Sequence, residues 1–250
     1  MSFKNKIINN NFFYYFYKKI KIFKSKKSNE HLGEFGEDIF ISRFFKNQST
    51  GNYVDIGCYH PIKSSLTYKL FKKGWTGLNV DLSKISIDLF NLSRPNDLNI
   101  QAAVTDFDGE TFYYENGSIN QQNSLKENSN LKKIPIKAYK LSTILKKNNF
   151  KKIDFLNIDV EGFDFKVLST LNFSEIKPSM ICIEENNYNT QKILETSTHK
   201  YLSNNGYFLA SKFGVSLIYI DKSYENKINE IMSLWFEIIN DLEIQLNFQL

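Results

Sequence analysis

Asp55, Gly57 and Asp81 are the residues of this chain whose types and spacing best fit a ligand site. Asp55 and Gly57 close a short apolar run, Tyr53-Val54-Asp55-Ile56-Gly57, and Asp81 closes the next, Thr76-Gly77-Leu78-Asn79-Val80-Asp81. Runs of this length and composition read as buried parallel strands. In open α/β sheets, ligands lie in the crevice outside the carboxyl ends of such strands. A glycine there lets backbone approach a ligand closely, and an acid at the second strand end suits ribose hydroxyls. The turn after Gly57 reads Cys58-Tyr59-His60-Pro61 rather than G-x-G-x-x-G, which disfavours NAD and FAD. Two carboxylates match a nucleoside bearing a cation better than one bearing phosphates. S-adenosylmethionine, with a sulfonium and no phosphate, is such a ligand, so methyl transfer is the expected chemistry.

Two later strand ends are also acidic, Asn157-Ile158-Asp159-Val160-Glu161-Gly162 and Ile183-Glu184-Glu185-Asn186. Carboxylates gathered at adjacent strand tips hold protons tightly unless a cation relieves them. A hard divalent ion with oxygen ligands, Mg or Mn, would do so. Asp159, Glu184 and Glu185 are the expected metal ligands; the alternative is that these acids cap helices or face solvent. Methyl transfer to an alcohol also needs loss of the hydroxyl proton, through a metal or a side-chain base. His60 and Asp159 are the candidate catalytic residues, a purely structural His-Pro turn being the other reading of His60.

The elements that must position these residues alternate along the chain. Strands are expected at 52–56, 76–81, 98–104, 153–159 and 180–184, with helices at 34–47, 64–73, 84–92, 141–147, 164–171 and 190–204. Strands at 207–210 and 216–220, joined by a short Gly-containing turn, read as a hairpin. The pattern predicts an α/β fold with a Rossmann-like, seven-stranded, mostly parallel sheet, helices on both faces and an antiparallel C-terminal hairpin. Residues 111–114 alternate like a strand, while Asn116 to Asn130 reads as a polar loop, either a lid over the site or plain surface. An amphipathic helix from about Glu225 makes a homodimer an option.

The 250 residues, 42 % apolar and 24 % charged, suit one soluble domain with a tail. The net charge of +5 is uneven. Lys4, Lys6, Lys18, Lys19, Lys21, Lys24, Lys26 and Lys27 face no acid within residues 1–29, so the body carries −3. An acidic body argues against nucleic acid as a partner. Cys58 and Cys182 give no disulfide framework, and a cytoplasmic location is expected, with the inner face of the membrane as a further option. The run Phe12–Tyr17 is too short to span a bilayer. Segment 1–30 is expected to hold a helix whose aromatic face packs on the body with its lysines in solvent. Peripheral contact with anionic lipid through 1–28 is the alternative.

Two segments resemble the FkbM family of S-adenosylmethionine-dependent methyltransferases. One runs from Gly51 to Gly57, then through Pro61, Ser64, Ser65 and Thr67, to Gly74-Trp75-Thr76-Gly77-Leu78-Asn79-Val80-Asp81. The other is Ile153-Asp154-Phe155-Leu156-Asn157-Ile158-Asp159-Val160-Glu161-Gly162-Phe163-Asp164, similar to that family's D-V-E-G segment. The resemblance covers about residues 50–210. It implies a class I methyltransferase domain over 31–250 and O-methylation, often of sugars. It also implies donor contacts from Asp55, Gly57, Ser65, Asp81, Ala103 and Asp159, and a divalent metal at Asp159, Glu184 and Glu185, as in similar macrolide-sugar enzymes. The chain departs in its reduced glycine loop and in Asp81, where the family usually has Glu. The expected activity is O-methylation of a sugar hydroxyl, on a nucleotide-linked sugar or a capsule precursor. A non-catalytic membrane- or partner-binding protein on the same scaffold is the alternative.

Overall fold

The computed structural model describes residues 11–26, 33–115, 123–186 and 189–228. Its strands are β1 (Asn52–Ile56), β2 (Thr76–Asp81), β3 (Leu98–Gln101), β4 (Ala103–Val104), β5 (Gly109–Glu115), β6 (Lys132–Tyr139), β7 (Phe155–Ile158), β8 (Met180–Glu184), β9 (Tyr207–Phe213) and β10 (Ser216–Asp221). Seven of them form one sheet in the order β3-β2-β1-β7-β8-β10-β9. The first five neighbours run parallel, and β10 pairs antiparallel with both β8 and β9. The strand order reverses between β1 and β7, which is where a parallel sheet opens a crevice at its carboxyl edge.

Both faces of the central strands are covered, which explains their unbroken apolar runs. On one face Val54, Ile56, Leu78, Val80, Leu156 and Ile158 pack under α5 (Leu141–Lys147), α6 (Asp164–Leu168) and α8 (Ser197–Asn204). On the other, Tyr53, Phe155, Met180 and Cys182 pack under α2 (Glu37–Phe44) and α3 (Tyr68–Lys72), together with Trp75. Full burial of such side chains stabilises the fold by about 1.5–3 kcal/mol each. One row breaks the apolar pattern on this second face. Asn79, Asp55 and Asn157 stand side by side across β2, β1 and β7, all buried.

The structure differs from expectation in three places. The expected strand 98–104 is two strands: the chain leaves the main sheet after Gln101, and Ala103–Val104 pair with β6 instead. No strand was expected at β6, which follows the expected loop 116–130 and pairs antiparallel with β5. Its inward residues Ile134, Ile136 and Ala138 do alternate, but Pro135 disguises the strand. Proline is tolerated there because β4 reaches only Ala138 and Tyr139, leaving that edge unpaired at 135. The expected helix 190–204 is broken into α7 (Thr190–Ile193) and α8, because Thr196 caps a new helix by accepting from His199 N–H at 3.1 Å. The C-terminal amphipathic helix falls mostly outside the described residues.

The N-terminal helix α1 (Asn11–Lys26) lies against α4 (Lys84–Ser93), with Tyr14 donating to Asp88 at 2.8 Å. This corrects the expected orientation. The inward side carries Tyr14, Tyr17, Lys21 and Ser25, while Phe12, Phe13, Phe16, Ile20 and Phe23 face outward. Asp88 supplies the reason, since it rewards a hydroxyl or an ammonium rather than a phenyl ring. No helix among the described residues is long and apolar enough to cross a membrane.

Candidate active site

A cavity of about 380 Å³ opens at the carboxyl ends of β1, β2, β7 and β8. Asp55, Gly57, Asp81, Asp159 and Glu184 all line it. Sheet register brings them together: residues over a hundred positions apart become neighbours once β1 pairs with β7.

Gly57 forms the floor. Its φ is 79°, and a Cβ built on it would lie 1.7 Å from the backbone oxygen of Asp159. No side chain fits between the two loops, so bare backbone faces the cavity. The following turn stays tight through left-handed Tyr59 (φ 55°) and through Gly57 and Cys58 N–H donation to the Val80 carbonyl.

Asp81 holds that turn from the side. One carboxylate oxygen accepts from Tyr59 N–H at 2.8 Å and the other from Ser83 N–H at 2.7 Å. Each oxygen keeps a second lone pair for a hydroxyl donor. Burial pushes its pKa up to about 6, against the pull of the two N–H donors. Asp55 is more enclosed, accepting from Thr67 Oγ1 at 2.8 Å and from Asn157 Nδ2 at 2.9 Å. Burial raises its proton affinity while these two donors and Arg94 oppose the rise.

The opposite wall is acidic. Carboxylate oxygens of Asp159, Asp164 and Glu184 lie within 4.8 Å of one another. Asp159 is exposed and lines the cavity. Desolvation, followed by repulsion from Glu184, Asp164 and Glu161, raises its pKa far above the carboxylate range. Glu184 is raised as well, again by burial first and then by Asp164 and Glu161. Buried Oε2 of Glu184 has no hydrogen-bond partner. Asp164 is fixed by Val160 N–H and Gly162 N–H, each donating to one of its oxygens at 2.9 Å. Those bonds pin a turn in which Glu161 and Gly162 are both left-handed (φ 55° and 92°).

The chain matches the family described as the methyltransferase FkbM domain over residues 55–209, a span that holds Asp55, Gly57, Asp81, Asp159, Asp164 and Glu184. The chain belongs to the FkbM methyltransferase family. No curated protein and no solved structure matches it.

Four residues expected in the site of this FkbM methyltransferase lie elsewhere. His60 is not in the cavity wall. Its Nδ1 accepts from Ile62 N–H and Lys63 N–H at 3.0 Å each, which leaves the proton on Nε2, 3.4 Å from Ser25 Oγ. Burial, with Lys21, Lys63 and Arg94 nearby, lowers its pKa to about 4. A neutral ring with its lone pair already engaged is a turn brace, not a proton acceptor for a substrate. Ser65 points away from the cavity to Arg94 at 3.0 Å, and its neighbours Ser64 and Leu66 line the wall. Ala103 is displaced by one position, because strand alternation turns Ala102 and Val104 to the cavity and Ala103 into the small-sheet core. Glu185 stands outside the acidic cluster, and Asp164 occupies the third position instead.

Sequence reasoning also missed Arg94. Its buried guanidinium donates to Tyr53 Oη (3.2 Å), Thr67 Oγ1 (2.9 Å), Ser65 Oγ and the Pro61 carbonyl, behind the Gly57 turn. Arg43 and Arg94 are the only arginines in a lysine-rich chain, and that rarity was the available signal. Four acceptors around one buried cation call for the planar fork of arginine. Asn123, beyond the undescribed residues 116–122, lines the cavity with its buried Oδ1 unpaired.

Proposed function

We propose that this chain is an S-adenosylmethionine-dependent O-methyltransferase acting on a sugar hydroxyl, on a nucleotide-linked sugar or a surface-polysaccharide precursor. The observation that carries the reading is the bare Gly57 floor bounded by Asp81 on one side and the Asp159–Glu184 pair on the other. The residues fit the donor. Bare backbone admits close approach, the free lone pairs of Asp81 suit ribose hydroxyls, and the unpaired Oδ1 of Asn123 is an acceptor for an amino group. When bound, the donor supplies a methyl group on a cationic sulfur, which leaves as a neutral thioether.

The chain's own residues have two tasks. The Gly57 turn, held by Asp81, Arg94 and His60, fixes one reactant so that the hydroxyl oxygen approaches in line, and this positioning is most of the catalysis. The Asp159–Glu184 pair takes the hydroxyl proton as the new O–C bond forms. Burial and the neighbouring carboxylates Asp164 and Glu161 raise the proton affinity of both groups, which suits a carboxylate to act as base nearer neutral pH.

The same pair, with Asp164, fits a hard divalent cation. The supporting observation is the buried, unpartnered Glu184 Oε2 within the three-carboxylate group. A cation held there would compete with protons for these carboxylates and lower the pKa of a bound hydroxyl. Transfer of labelled methyl from the donor to nucleotide-linked sugars, with and without Mg²⁺, tests the reading. Label in a sugar ether supports it, and transfer to nitrogen acceptors alone overturns it.

A further inference from the structure

The outward face of α1 has no role in the methyltransferase site. Phe12, Phe13, Phe16, Ile20 and Phe23 are each between 50 % and 65 % exposed. At 3.6 residues per turn they fall within about 100° of arc, one continuous stripe along the helix. Exposed Lys19 and Lys24 flank it, and Tyr15 extends it on one side. Folding alone would turn such a stripe inward, since burial of apolar surface is the dominant favourable term. The chain does the reverse. It spends Tyr14 on Asp88 and sets Ser25 beside His60, so that the polar side of the helix faces the body.

We propose that this face docks on an anionic lipid surface, with α1 lying in the interfacial plane. The argument for the occupant is charge. Residues 1–29 hold eight lysines and no acid, while the rest of the chain is net negative. Aromatic rings flanked by lysines suit the boundary between acyl chains and anionic headgroups. The helix has 16 residues, fitting a segment that rests on a bilayer rather than crossing it. A second copy docking through the same face would set lysines against lysines, and lysine is depleted from protein interfaces.

The test is co-sedimentation of the full chain with phosphatidylcholine vesicles, with and without phosphatidylglycerol. A companion variant combines Phe16→Ser and Ile20→Ser, two substitutions far from the cavity. The proposal expects binding only to the anionic vesicles, weakened by salt. The variant should bind about tenfold more weakly or worse at an unchanged melting temperature. Equal binding by the variant, equal binding to neutral vesicles, or no binding at all would each overturn it. A dimer in solution that the double variant disperses, without vesicle binding, would assign the face to a second copy and also overturn it.

Discussion

The α-carbon of Gly57 lies so close to the carbonyl oxygen of Asp159 that no β-carbon can stand between them. Two loops 102 positions apart in sequence are therefore locked together at one point, and that point is the cavity floor. Gly57→Ala should force them apart. A left-handed φ already costs an alanine about 1–3 kcal/mol, and the clash adds to it. We expect a lower melting temperature together with loss of donor affinity. A variant that melts lower yet binds the donor normally would remove Gly57 from the site.

Asp81→Ala should weaken binding of S-adenosylhomocysteine by about 1.5–3 kcal/mol, the usual loss of a hydrogen bond to a charged group. It also strips two N–H groups, Tyr59 and Ser83, of their acceptor. Asp81→Asn keeps one acceptor oxygen and should fall between. Calorimetric titration of both variants checks this, and equal affinities across the series would contradict the placing of the ribose.

How much of this was readable from sequence depended on where the information lies. β1, β2 and β8 were predictable to the residue because both their faces are buried and the apolar run has sharp ends. Asp55, Gly57, Asp81 and Asp159 could be placed because strand tips follow from strands. Two of the failures share a physical cause, the direction of a side chain within a turn. Ser64, Ser65 and Leu66 are consecutive, yet Ser64, left-handed at φ 50°, and Leu66 line the cavity while Ser65 is bonded to Arg94. Asp164 outranks Glu185 because the Glu161-Gly162 turn folds it back, whereas the Glu185 N–H pairs with Val215 and carries its side chain away from the cluster. The partners of Arg94 could not be read from sequence, because they come from β1 and from the 61–67 loop, 27 to 41 positions away.

The acidic wall makes a prediction in pH. Asp159 binds its proton more tightly folded than unfolded. Such a group favours the fold fully below the unfolded carboxylate range of about 4, and that contribution is lost as pH rises through the raised folded value. Wild-type stability should therefore decline into the alkaline range, and Asp159→Asn, which mimics the protonated acid, should flatten the decline. Mg²⁺ or Mn²⁺ should raise the wild-type melting temperature more at high pH than at low, because protons compete for the same carboxylates. No metal effect in wild type at any pH would show that the cluster holds no cation.

His60→Ala should lower stability by about 1–3 kcal/mol, since it leaves the buried Ile62 N–H unpaired and takes the acceptor from Lys63 N–H. His60→Asn, whose Oδ1 can stand in for Nδ1, should recover most of that loss. Neither should shift the pH profile of methyl transfer. Loss of the acidic limb of that profile in both variants would restore His60 as a base.

The central claim, that this cavity holds a methyl donor, is tested most directly by calorimetric titration of the full chain with S-adenosylhomocysteine, with NADH in parallel. The account predicts micromolar binding of the first, none of the second, and loss of the heat in Gly57→Ala. Binding of NADH alone, or of neither, would contradict it.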